Sequence, residues 1–135
     1  MIDINATIEP FTLNDQFGVE HNIEVRPKFL ICSFGKSTGK LISSYFDAKD
    51  KEYLNKYDIE LLADVSGVPS LLRKTIVIPK MKKYSFEILL SDDKKFSKNF
   101  PQKEDNLTVI KMENGVVKNI IYCSDEDELK DAIEE

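Results

Sequence analysis

Apolar positions along this chain form short runs separated by stretches of helical spacing. Phe11-Thr12-Leu13 reads as a short strand. Asn14 to Gly18 reads as a turn in which Gly18 is free to take positive φ, and Asn22 to Val25 as a returning strand closed by Arg26-Pro27. Lys28 to Phe34 is short and nearly continuously apolar, which predicts a central strand buried on both faces with parallel neighbours. Gly35 ends it. Ser37 or Thr38 is placed to cap a helix whose apolar residues Leu41, Ile42, Tyr45 and Phe46 recur at helical spacing, with a bent or broken continuation to Tyr57.

Ile59 to Val65 predicts the next strand. Pro69 suits the first turn of a helix through Leu71, Leu72 and Ile76, interrupted at Pro79. Phe86 to Leu90 predicts a further strand. Leu107–Met112 and Val116–Tyr122 predict a hairpin across Glu113-Asn114-Gly115. Asp125 to Ile133 predicts a last helix capped by Ser124. Strands separated by helices imply parallel pairing through right-handed crossovers, and the closing hairpin adds antiparallel strands. The expectation is one α/β domain over residues 1–135, a mixed central sheet with helices on both faces. The aromatics Phe11, Phe17, Phe29, Phe34, Tyr45, Phe46, Phe86 and Tyr122 are assigned to its core.

Charge narrows the function classes. The 135 residues carry 24 acidic against 19 basic side chains, a net charge of −5, which argues against a nucleic-acid partner. No apolar run approaches the ~18 residues of a membrane helix. The start, Met1 to Asn5, shows no signal peptide, so a cytoplasmic location is expected, or a periplasmic one if a signal was removed. Two cysteines, Cys32 and Cys123, are too few for a disulfide framework and lack metal-motif spacing. Both fall in predicted strands, where a buried thiol acts as a small hydrophobe.

Three stretches, taken in order, resemble the thioredoxin-like superfamily, in particular its peroxiredoxin and TlpA-like branch. Pro10 to Gly18 is similar to the "F-x-L-x-D-x-x-G" opening hairpin, Phe86 to Asp92 to the "f-p-l-L-x-D" strand, and Leu107 to Val117 to the "P-T-x-x-x-x-x-x-G-x-V" hairpin. The resemblance implies a thioredoxin-like three-layer fold across nearly the whole chain. Gly35 to Lys40 also resembles the helix start of the YtfJ family, a cysteine-less thioredoxin-like group.

The departures from that pattern bear on function. Where the resemblance places Cys-x-x-Cys or a peroxidatic Cys, this chain has Gly35-Lys36-Ser37-Thr38-Gly39-Lys40. Cys32 lies before the turn, inside the strand, away from the helix N-terminus that would acidify it. The cis-proline position of relatives aligns with Asn106 or Leu107. On the family strand order, Cys32 and Cys123 lie two strands apart, ~9–10 Å, beyond disulfide reach. The first expectation is therefore a non-catalytic, redox-inactive domain binding a protein partner or a small molecule. The alternative is an atypical thiol-dependent peroxidase or reductase using Cys32 or Cys123. A third is a structural subunit of a larger complex.

The candidate ligand or anion site is the helix start, Lys36, Ser37, Thr38, Gly39 and Lys40, with Ser66, Asn106 and Leu107 completing a groove. Homodimerisation through this face or a sheet edge is left open. Gly35-x-x-x-Gly39-Lys40 is one residue short of a P-loop, and Leu41 stands where a Mg²⁺-binding hydroxyl belongs. His21, the single histidine, has no cysteine or serine partner in sequence and reads as structural or surface, which argues against a Ser-His or Cys-His pair and against zinc with imidazole ligands. The acidic pairs lack calcium-loop spacing and read as turn and capping residues. No catalytic residue, cofactor or metal is assigned.

Overall fold

The computed structural model describes all 135 residues. Seven strands form one mixed sheet: β1 (Phe11–Asp15), β2 (Glu20–Ile23), β3 (Phe29–Ser33), β4 (Ile59–Asp64), β5 (Leu89–Ser91), β6 (Leu107–Glu113) and β7 (Val116–Cys123). Their spatial order is β2-β1-β5-β4-β3-β6-β7. β4 runs parallel to β3 and to β5, while both ends of the sheet are antiparallel. The helices are α1 (Lys36–Asp47), α2 (Lys51–Tyr57), α3 (Ser70–Leu72), α4 (Ile78–Met81), α5 (Lys94–Lys98) and α6 (Glu126–Glu134), with a π-helical turn at Arg73–Val77 between α3 and α4. No helix is long and apolar enough to cross a membrane.

All five residues of β3 are buried, as a central strand requires. Its alternate side chains feed two cores. Phe29 and Ile31 join Ile42 and Phe46 of α1 and Leu129 and Ile133 of α6 on one face. Leu30 and Cys32 face the other side, where α5 supplies Phe96, the turn after it Phe100, and the N-terminal segment Ile2 and Ile8. Each such side chain withdrawn from water contributes about 1.5–3 kcal/mol before entropy is set against it.

Several local expectations are corrected. The N-cap of α1 is Gly35, not Ser37 or Thr38: Thr38 sits at the third helical position, and its hydroxyl reaches back to accept from the Gly35 N–H at 3.2 Å. Asp125 caps α6, accepting from the Glu128 N–H at 2.8 Å, while Ser124 donates to the Glu128 carboxylate. Pro69 is the N-cap of α3 rather than in its first turn. Pro79 does not interrupt the helical path. It lacks an N–H and crowds the carbonyl four residues back, and the preceding turn widens so that the Ile78 N–H bonds to the Arg73 carbonyl.

β2 begins at Glu20 rather than Asn22, because the Asp15 carboxylate accepts from the Phe17 and Val19 N–H groups and tightens the turn. β5 begins at Leu89 rather than Phe86. The Gln16 side-chain amide stands in for a neighbouring strand there, donating to the Phe86 carbonyl at 2.7 Å and accepting from the Ile88 N–H at 2.9 Å. Phe17 lies on the turn and is exposed rather than in the core. Helix α5 was not expected.

Candidate functional site

The parallel strands end at their C-terminal edge in a cleft of about 750 Å³. One wall is the start of α1: Phe34, Gly35, Lys36, Ser37, Thr38 and Lys40. The other is the segment entering β6: Gln102, Lys103, Glu104, Asp105 and Asn106. Tertiary structure thus brings Asn106 to the candidate residues Lys36, Ser37, Thr38 and Lys40. Gly39, Ser66 and Leu107 do not line this cleft. Leu107 is fully buried, paired across the hairpin with Cys123. The Ser66 N–H donates to Asp64 Oδ1 in a separate turn.

The polar residues divide by what they still have to offer. The Thr38 hydroxyl donates to the Gly35 carbonyl at 2.9 Å, accepts from the Gly35 N–H, and lies 2.8 Å from Ser33 Oγ. Thr38 is buried and engaged on both sides by Gly35 and Ser33, so it shapes the turn rather than facing a ligand. The Ser37 hydroxyl donates to Asp105 Oδ1 at 2.9 Å across the cleft. The first turn of α1 contains no acidic residue, so Asp105 brings negative charge toward the positive end of the helix from outside. Lys36, Lys40 and Lys103 form no ion pair and present three free ammonium groups. Against Glu104 and Asp105, the charged lining is net positive by one.

Both thiols are free and fully buried. Burial pushes the Cys32 thiol far above the usual range. Cys123 is pushed up to about 11, by burial and then by the Glu128 and Asp125 charges. Cys32 pairs in register with Thr108 of β6, and Thr108 with Tyr122 of β7, which puts the two cysteines two strands apart. They also project from opposite faces of the sheet, one into each core, so they are not arranged to form a disulfide. No cis peptide bond occurs, and Asn106-Leu107 continues directly into β6.

Two groupings emerge only in the folded chain. Gln102 to Asp105 reads as an ordinary polar loop, and only the fold sets it opposite α1. The second is His21 with Asp15 and Glu87. The His21 Nε2 atom lies 2.7 Å from Asp15 Oδ2 and 3.7 Å from Glu87 Oε2. A single histidine without a Cys or Ser partner argues against both a nucleophile pair and an imidazole-ligated zinc, yet in the fold its neighbours are carboxylates contributed by β1 and by the approach to β5.

No protein-family model matches the chain, and no curated protein matches it. Solved structures do. The peroxidoxin BcpB of Mycobacterium tuberculosis superposes with a TM-score of 0.63 over 99% of this chain and 96% of its own, at 12% identity. StoA of Bacillus subtilis gives 0.59 over 94% and 97%, at 15% identity. The thioredoxin domain of a Bacteroides vulgatus thiol-disulfide oxidoreductase gives 0.58 over 99% and 97%, at 12% identity. At such identities the likeness concerns the path of the backbone, and on it this chain has the thioredoxin-like α/β fold.

Proposed function

We propose that this chain is a non-catalytic thioredoxin-like domain that recognises a protein partner or small ligand in the cleft between the start of α1 and residues 102–106. The observation that carries this reading is the contrast at that end of the sheet. The cleft is open and lined by three unpaired ammonium groups, whereas both thiols are sealed in the cores. A ligand bearing a carboxylate or phosphate suits that lining, with Lys36, Lys40 and Lys103 as donors and Asn106 as a neutral neighbour.

The test is a titration of isotope-labelled protein with citrate, pyrophosphate and an acidic peptide, followed by amide chemical shifts. Saturable shifts confined to residues 34–40 and 102–106, lost in Lys36→Glu/Lys40→Glu, support the reading. Shifts that map elsewhere, or that persist in the double variant, contradict it.

A second reading is an atypical thiol-dependent peroxidase or reductase, and it draws on what the structural neighbours are called: a peroxidoxin and a thiol-disulfide oxidoreductase. It requires an exposed, acidified thiol, the opposite of what burial gives Cys32 and Cys123. Peroxide or disulfide reduction that disappears in Cys32→Ser or Cys123→Ser would favour it.

A further inference from the structure

At the opposite end of the sheet from the cleft, four segments converge on one face. His21 of β2 is in register with Leu13 of β1, and Asp15 lies two residues further along the same strand face. Asp15 pairs with Leu89, and Glu87 precedes Leu89 by two residues. Glu60, near the start of β4, completes the group: Leu62 of β4 pairs with Leu89, and Glu60 lies two residues before it on that face. The side-chain donor atoms of Asp15, His21 and Glu87 all lie within 4.8 Å of one another.

We propose that Asp15 Oδ2, His21 Nε2 and Glu87 Oε2 form a binding site for one divalent transition ion of the zinc type, with water at the remaining positions. Imidazole and carboxylate together are the donor set such ions take, and a site with only three protein ligands stays open to solvent. Asp15 is pre-positioned. It is 2% exposed, its Oδ1 is held by the Phe17 and Val19 N–H groups at 2.8 and 3.1 Å, and Oδ2 is left to face His21. A second oxygen fixed by the backbone is the kind of outer support that orients a ligating carboxylate.

The charge balance points the same way. The charges acting on His21 are those of Asp15, Glu87 and the half-buried Glu60, and none of the three carboxylates pairs with a lysine or arginine. Three carboxylates therefore gather around His21 with no lysine or arginine among them. Ligands at ~2.0–2.1 Å from a tetrahedral ion stand roughly 3.3 Å apart. The two His21 contacts, 2.7 and 3.7 Å, straddle that spacing. The exposed Glu87 side chain is free to make the adjustment.

The experiment is calorimetric titration of the full chain with Zn²⁺ in a non-chelating buffer, repeated with Co²⁺ while the visible absorption is recorded. One saturable site per chain is expected, with Co²⁺ bands that Zn²⁺ displaces. His21→Gln should weaken binding by at least roughly tenfold and abolish the bands, and Glu87→Gln should weaken it by about tenfold. Glu87 is exposed, so that variant keeps the fold, which circular dichroism verifies. Absence of a saturable site, or equal Zn²⁺ binding by wild type and His21→Gln, overturns the proposal. So does equal competition by Mg²⁺, which would mean a generic acidic surface.

Discussion

The Ser37 hydroxyl donates to Asp105 Oδ1 at 2.9 Å, tying the first turn of α1 to the loop that leads into β6. Asp105 holds a left-handed backbone, φ 58°, to make that contact. Asp105→Ala loses the acceptor and leaves a side chain with little tolerance for that conformation. It should cost about 1–2 kcal/mol in urea unfolding. Asp105→Asn keeps the tolerance and an acceptor, and should cost less than about 1 kcal/mol, the share of the lost charge at the helix end. Asp105→Asn should also tighten binding of the anionic probes in the cleft, because one of its two negative charges is gone.

The hairpin between β6 and β7 turns on Asn114 (φ 51°) and Gly115 (φ 80°), the pair of left-handed residues a two-residue turn needs. The Arg26 side chain lies against Gly115, so a Cβ there would clash with the Arg26 guanidinium. Arg26 also donates to the Glu24 and Asn114 carbonyls. Gly115→Ala therefore combines backbone strain with displacement of the guanidinium. A loss of about 2 kcal/mol is expected in chemical denaturation. Arg26→Ala in the same background should recover part of it, since only the strain then remains.

The Asp15–His21 pair predicts a pH window of stability in chelator-treated protein. The hydrogen bond that His21 donates to the Asp15 carboxylate raises the His21 pKa above 6.5; burial opposes this, and the Asp15, Glu87 and Glu60 charges add to it. Burial pushes Asp15 upward, but the His21 bond and the Phe17 and Val19 N–H groups outweigh it and leave the pKa below 3.8. The His21 contribution is fully present below its unfolded pKa and is lost as pH rises through the folded value. That of Asp15 is present above its unfolded pKa and is lost as pH falls through the folded value. Stability from this pair should be greatest between the two unfolded values. In His21→Gln the decline above pH 6.5 should flatten, as read from thermal midpoints across pH 3 to 9.

Much of the scaffold was legible in local pattern. Phe29 to Cys32 is continuously apolar because both faces of β3 are covered, and Asn114-Gly115 announced its hairpin through conformational preference alone. Helix α5 was not legible: Lys94, Lys95 and Lys98 surround Phe96, and a five-residue helix is too short to show a period. The start of β5 was misplaced because Gln16, some seventy residues away, substitutes a side chain for a strand. Of the cleft, Lys36, Ser37 and Lys40 could be singled out from the helix start. Asp105 and Lys103 could not, since only the β3–β6 pairing sets them opposite. The same limit hid the carboxylates around His21.

The most direct test of thiol-independent function is the alkylation rate of Cys32 and Cys123 in the folded protein, measured residue by residue from pH 5 to 9. Both thiols are buried and pushed upward in pKa, so both should react far more slowly than a free thiol, at rates that track unfolding and with no inflection in that range. Rapid labelling of either cysteine, with an apparent pKa well below the ~8.5 of a free thiol, would contradict a non-catalytic domain and point to thiol chemistry.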